Sequence, residues 1–374
     1  MTNPFYTNEY AGAEYFCDRK KETERLISLL TNGNNIVLMS PRRLGKTGLI
    51  QHIFHQEAIK SHYNTFIIDI YATSTLDEMV QCMGNSIVRT LAGRGETALK
   101  KFLSIVSSLR AIMTFDQLGN PTWGIERGTI QSPQYTLEQI FNYIETSDLP
   151  CIVAIDEFQQ IARYPEKNVE AIMRTHIQHC RNGNFIFSGS EQSLLGEMFS
   201  SPSRPFFSST HSYTLDVIPE ETYAEFALKH FNAKGKDISV GAIHKTYELF
   251  NGITWYMQKV MSELFAQTPA GESCDEKDVF NAVQTIISEA GTTYADILYE
   301  LSPRQKQLLL AINSEGKATE IKGNTFISKY HLAGASSIQT TIKTLIDKQL
   351  VTSRLGVYEV YDKFFSIWLS QNHV

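Results

Sequence analysis

Apolar residues follow two different rhythms along this chain. In its first part, short continuous apolar runs alternate with stretches spaced at three and four. Residues 22–30 carry Leu26, Leu29 and Leu30 at helical spacing, and Asn32-Gly33-Asn34-Asn35 ends that helix. Ile36-Val37-Leu38-Met39 is an unbroken apolar run, as expected of a strand buried on both faces. Leu49, Ile50, Ile53, Phe54 and Ala58 then predict an amphipathic helix. Further buried strands are predicted at 66–70, 151–155 and 184–187, and helices at 76–91, from Thr136 as cap to about Glu145, and at 168–180. Residues 111–115 and 122–125, joined by 116–121, read as an inserted hairpin. Strands alternating with helices predict a parallel sheet.

From about Pro219 the pattern is helical, over 222–231, 240–250, 254–265 and 275–301. Three more helices follow at 304–312, 325–330 and 336–348, then short strands at 350–353 and 357–361 turned by Leu355-Gly356. Three helices and a two-stranded wing make a winged helix-turn-helix pattern. The expected organisation is therefore an α/β domain over 1–218 with a hairpin inserted near 111–127, a helical module over 219–301, and a winged helix over 302–374.

With 374 residues, 42% hydrophobic and 20% charged, the chain has material for two or three ordinary cores. No apolar run reaches the roughly 18 residues that span a bilayer, and residues 1–10 lack a basic-then-apolar signal pattern. Cys17, Cys82, Cys151, Cys180 and Cys274 are scattered without metal-ligand spacing, which fits a reducing compartment. The expectation is a cytoplasmic protein with no membrane partner. The ten histidines form no ligand cluster. A net charge of −6 argues against a dedicated nucleic-acid binder, though one basic face could still exist.

The candidate chemistry lies where strands end. The first apolar strand leads into Ser40-Pro41-Arg42-Arg43-Leu44-Gly45-Lys46-Thr47-Gly48 and then a helix. That order matches the phosphate-binding loop G-x-x-x-x-G-K-[ST], with Ser40 in place of the first glycine. Backbone N–H groups of such a loop and the helix N-terminus hold phosphate, Lys46 would bridge the β- and γ-phosphates, and the Thr47 hydroxyl would ligate Mg²⁺. Ile152-Val153-Ala154-Ile155-Asp156-Glu157 is an apolar strand ending in two acids. Asp156 would hold magnesium, directly or through water, and Glu157 would act as general base on the attacking water.

Together these features resemble the archaeal-type ATPase family of P-loop proteins, related to AAA+ and STAND ATPases. Phe16-Cys17-Asp18-Arg19 with Glu22 resembles the family's F-x-G-R-x-x-E box, and residues 41–47 its P-R-R-x-G-K-T loop. Tyr361-Asp362-Lys363-Phe364-Phe365 and Trp368-Leu369 resemble its D-P-x-F-x-x-W-L signature, with Lys363 at the proline position. The resemblance runs over nearly the whole chain. It implies an AAA+-like P-loop NTPase core, a helical lid and a C-terminal winged helix, with ATP and Mg²⁺ bound. It also implies that Phe16 to Arg19 borders the adenine, and that Ser190, or Ser188 beside it, serves as the polar sensor after the fourth strand. Gly252-Ile253-Thr254 stands where relatives often have G-x-P. Arg204 is the candidate arginine finger by position, and Arg42 and Arg43 would face phosphate or a neighbouring acid.

The recognition helix carries Lys343, Lys348 and Asp347, and the wing Arg354. That sparse charge suits packing or protein docking, while DNA readers usually bring more. Two readings follow: a nucleotide-driven switch on a macromolecular partner, and a DNA-binding regulator with ATP as conformational ligand. Whether the partner is protein or DNA stays open here, and so does assembly into a homo-oligomer.

Overall fold

The computed structural model describes residues 2–8, 10–115, 121–126, 128, 130 and 132–373. In chain order its strands are β1 (Ile36–Met39), β2 (Asn64–Asp69), β3 (Ala111–Phe115), β4 (Pro121–Ile125), β5 (Cys151–Asp156), β6 (Gly183–Gly189), β7 (His211–Thr214), β8 (Asp237–Ile238), β9 (Ser273–Cys274), β10 (Val351–Arg354) and β11 (Val357–Val360). The chain divides into two compact units, one of residues 6–223 with 253–255, the other of residues 1–5, 224–252 and 256–374.

In the first unit β2, β5, β6, β1 and β7 lie side by side in that order, each neighbouring pair parallel. Every position of β5 and β6 is buried. Alternate residues feed two separate cores, as the two-residue period of a strand requires. Val37, Val153, Ile155, Phe185 and Phe187 join Met79, Met83, Leu137 and Ile140 on one side. Ile36, Leu38, Ile152, Ala154 and Ile186 join Leu26, Leu30, Leu49 and Ile53 on the other. This two-sided burial explains why the strands read as continuous apolar runs.

Several elements differ from the sequence expectation. Ser132, not Thr136, caps the helix Pro133–Glu145, and Pro133 sits in its first turn where a missing N–H costs nothing. β6 continues through Ser188 and Gly189, beyond the strand expected at 184–187. β7 (His-Ser-Tyr-Thr) escaped notice because an exposed edge strand needs no apolar run. The inserted hairpin is present as β3 and β4, anchored where Asn85 Oδ1 accepts the Ile125 N–H at 2.7 Å. Its expected connection over 116–121 lies, apart from Pro121, outside the described residues.

The second unit is helical apart from β8 and β9 and the β10–β11 wing. Asn251 (φ 51°) and Gly252 (φ 66°) turn the corner after the helix Val240–Phe250. A Cβ on Gly252 would come within 2.6 Å of the Tyr247 ring, so this corner needs glycine twice over. Among the described residues no helix is long and apolar enough to cross a membrane.

The C-terminal signature now has a physical content. Asp362 caps the helix Lys363–Asn372 by accepting the Phe364 and Phe365 N–H groups at 2.9 and 3.1 Å. Phe364 packs against Phe250 and Tyr256, while Phe365 and Trp368 pack on Tyr294. The winged helix is thereby fixed to the helices that precede it. Lys363, at the proline position, uses the N–H that proline would lack: it donates to the Tyr256 hydroxyl at 2.9 Å. That hydroxyl in turn donates to the Tyr361 carbonyl at 3.4 Å.

Tyr256→Phe should therefore strip the part-buried Lys363 N–H of its partner. The expected loss is about 1–2 kcal/mol of unfolding free energy at unchanged m-value, read by urea titration. A variant as stable as the parent would show this hydrogen bond to be idle.

Candidate active site

The site forms where β1, β5 and β6 end at one edge of the sheet. After β1 the chain passes fully buried Ser40, takes left-handed backbone at Arg43 (φ 69°) and Gly45 (φ 91°), and enters the helix Lys46–Phe54. Alternating handedness curls a loop into a concavity, and the helix N-terminus behind it supplies partial positive charge. Leu44, 5% exposed, anchors the loop in the core. Its side chain is thus a packing residue, so only its backbone is left to meet phosphate.

Lys46 is buried, and its ammonium donates to the carbonyls of Ser40 (2.9 Å) and Pro41 (3.3 Å) and to Ser40 Oγ (3.4 Å). Burial pushes the ammonium below the usual lysine range. The charges of Asp156 and Glu157 pull it back up, and Arg42 pushes it down further. Ser40 thus does more than fill a glycine position, since it offers the lysine a hydroxyl as well as a carbonyl.

Asp156 joins the loop to the sheet. Its Oδ2 accepts from the Thr47 hydroxyl at 2.7 Å, and its Oδ1 accepts from the Ser188 hydroxyl at 2.6 Å and from the Glu157 N–H at 3.0 Å. Asp69 stands opposite it in register on β2. Burial raises the Asp69 carboxyl above its ordinary value, the Tyr71 N–H lowers it, and Asp156 and Glu157 add to the rise.

Glu157 has left-handed backbone (φ 55°) where β5 gives way to the 3₁₀ helix Phe158–Arg163. Its Oε2 accepts from Ser190 Oγ (2.8 Å), the Ser190 N–H (3.3 Å) and Gln159 Nε2 (2.5 Å). Arg42 Nε donates to Ser190 Oγ at 3.0 Å, and the Arg42 guanidinium lies over the Tyr71 ring at 5.1 Å. Arg43 is held by Trp255 twice: the guanidinium lies 4.5 Å over the indole, and the Arg43 carbonyl accepts the Trp255 N–H at 3.0 Å.

Phe16 reaches the first turn of the loop helix, where a Cβ on Gly48 would meet its ring at 3.7 Å. The ring stacks on His52 at 4.2 Å. Desolvation lowers the His52 pKa, which favours the neutral imidazole for stacking. The structure thus brings together Phe16, residues 40–48, Asp156, Glu157, Ser188 and Ser190. Arg19 and Arg204 are each engaged with partners of their own. Buried Arg19 pairs with Glu22 (2.9 Å) and donates to the Asp216 carbonyl (2.6 Å). Arg204 is clamped by Glu170 and Glu197, both at 2.8 Å. The sequence assigns no role to Gln159, Asp69, Tyr71 or Trp255, which carry no motif spacing.

Thr47 and Asp156 offer two hard oxygens 2.7 Å apart. That donor set suits Mg²⁺, which takes few protein oxygens and completes its shell with phosphate and water. Among the described residues no group of three or more His, Cys, Asp or Glu side chains gathers as a metal cage.

A family model described as an ATPase domain predominantly from Archaea matches residues 16–260, and one for a probable winged helix domain matches residues 292–371. No curated protein matches the chain. Among solved structures, a Walker-type ATPase of Pyrococcus abyssi is 17% identical, with 98% of this chain and 99% of that one covered and a TM-score of 0.67. The Aeropyrum pernix ORC2 protein, solved as ADPNP–ADP complexes, is 13% identical with a TM-score of 0.59, over 99% and 96% of the two chains. The ORC1 protein of the same organism, in complex with DNA, is 12% identical with a TM-score of 0.54, over 96% and 93%. At these identities the likeness is one of fold.

The Arg19 geometry separates a structural role from a nucleotide contact. Arg19→Ala should lose about 1.5–3 kcal/mol of stability, since it removes a buried charged donor from the Glu22 carboxylate and the Asp216 carbonyl. The affinity for ATP-Mg, measured by calorimetry, should stay within about twofold, a change under 0.5 kcal/mol. A tenfold weaker affinity in a folded variant would put Arg19 back at the nucleotide.

Proposed function

The chain belongs to the ATPase family found predominantly in Archaea, and on that footing we propose that it is a magnesium-dependent switch that hydrolyses ATP to act on a macromolecular partner. The observation that carries this reading is the 2.7 Å hydrogen bond from Thr47 to Asp156. It joins the phosphate loop to the acidic strand end in the arrangement that a metal-bound triphosphate needs.

The roles follow from the geometry. The loop at 40–48 receives the phosphates, and Lys46 exchanges its carbonyl partners for β- and γ-phosphate oxygens. Thr47 and Asp156 would hold magnesium, which when bound supplies charge neutralisation at those oxygens. Glu157 accepts a proton from the attacking water, and Ser190 orients the carboxylate that does so. Arg42, bonded to Ser190, places a guanidinium within reach of developing negative charge. Phe16 borders the base.

The switch reading rests on the path leaving the loop. Trp255 holds Arg43 in the first unit, and the next residue, Tyr256, belongs to the second unit and bonds the start of the last helix. The helix Thr254–Gln267 therefore begins beside the loop and continues into the second unit. The balanced charge of the helix Ala335–Asp347, with Lys343 against Asp347, favours a protein partner over the DNA backbone.

Lys46→Ala should keep its fold but lose nucleotide stabilisation. With ATP-Mg at about 100 times its dissociation constant, the parent should gain roughly 2.7 kcal/mol in a thermal-shift titration and the variant almost none. An equal gain in both would refute the phosphate loop. Glu157→Gln should bind ATP-Mg as tightly as the parent yet turn over about 10²–10⁴-fold more slowly, because an amide accepts no proton. Phosphate release at the parental rate would remove Glu157 from the chemistry.

A further inference from the structure

Two residues past Glu157, the Gln159 side chain is completely buried, a rare setting for a carboxamide. Its Nε2 donates to Glu157 Oε2 at 2.5 Å. Its Oε1 is buried and has no hydrogen-bond partner. The opposite amide orientation would set that carbonyl oxygen against the Glu157 carboxylate, so the charge of Glu157 fixes which way the amide points. Room for it comes from Gly189 on the neighbouring strand β6: a Cβ there would lie 2.1 Å from Oε1 and 3.1 Å from Cδ. A leucine or methionine would fill this space without leaving an acceptor unpaired, so stability alone does not explain the glutamine.

We infer that Gln159 is a positioning residue for ATP hydrolysis: its carboxamide, seated against Gly189, holds the Glu157 carboxylate in the orientation from which it accepts the water's proton. The inference rests on the hydrolytic reading of Glu157 given above. Ser190 and Gln159 donate to the same oxygen, Oε2, from two different elements. The carboxylate is thereby fixed in rotation, and its other oxygen is left to receive the proton. Because Glu157 leaves β5 with left-handed backbone, the chain turns at once into the 3₁₀ helix that returns Gln159 beside it. Gln159 touches neither substrate nor metal in this scheme and acts only through Glu157.

The test uses the full chain and four variants: Gln159→Met, Gln159→Ala, Gly189→Ala, and Gly189→Ala combined with Gln159→Ala. Steady-state phosphate release gives kcat and KM, displacement of a fluorescent ATP analogue gives affinity, and a melting curve reports the fold. Gln159→Met should lower kcat by roughly ten- to a hundredfold, with KM and affinity unchanged and melting no lower than the parent. Gly189→Ala reaches the same carboxamide without altering it. It should lower kcat comparably in the parent and have no further effect once Gln159 is alanine. Unchanged or raised kcat in a folded Gln159→Met variant overturns the inference, as does an equal Gly189→Ala loss in both backgrounds. If the parent releases no phosphate from ATP, the hydrolytic reading itself fails, and this inference with it.

Discussion

In the central sheet Leu38 stands opposite Ser188 and Ile155 opposite Phe187, so the polar residues that follow each strand emerge within reach of one another. Everything at the site depends on that register. A slip of one residue between β5 and β6 would turn Ser188 away from Asp156 and exchange the side chains that feed the two cores. The magnitudes say which effect enforces it. Each large apolar side chain buried from these strands contributes about 1.5–3 kcal/mol, whereas each hydrogen bond at the site contributes about 0.5–1.5 kcal/mol. Packing on both faces therefore sets the register, and the geometry of the candidate site inherits it.

The site also stores backbone strain at chosen points. Left-handed backbone costs a non-glycine residue about 1–2 kcal/mol, and both Arg43 and Glu157 adopt it. Each is offset locally. The Arg43 carbonyl accepts from Trp255, and the Glu157 N–H donates to Asp156 Oδ1. In both places the unusual turn sends a functional segment back toward the loop instead of onward along a helix or strand.

The parts of the molecule that were legible from sequence are those where local pattern and burial agree. Doubly buried strands announce themselves as apolar runs, and a glycine-lysine-threonine after one of them has few other uses. Polar residues satisfied by tertiary partners gave no such signal. Ser188 reads as a polar residue after the strand because a buried serine within a strand is explained only by Asp156, more than thirty positions earlier. Arg204 reads as a candidate arginine finger because its partners Glu170 and Glu197 come close only once their helices are packed. Gln159 has neighbours in sequence, Phe158 and Ile161, that are core residues, and nothing in that spacing says that its amide meets Glu157. Long-range polar pairing was the blind spot, at the site and away from it.

The path from loop to winged helix sets a scale for any switch built on it. Arg43 and Trp255 share a hydrogen bond and a cation–π contact. Such a bond contributes about 0.5–1.5 kcal/mol, and such a contact about 0.5–2 kcal/mol depending on its desolvation. Nucleotide can shift an equilibrium only by the difference in its affinity for the two states. Together these two contacts are worth about 1–3.5 kcal/mol, beside an ordinary allosteric coupling of about 1–3 kcal/mol. Inverting a population from 1:99 to 99:1 takes about 5.5 kcal/mol, well beyond that. In the proposed switch, a coupling of ordinary size therefore biases the equilibrium without committing it. The remaining free energy has to come from the partner, whose binding to the favoured state must in turn tighten the grip on nucleotide by the same factor.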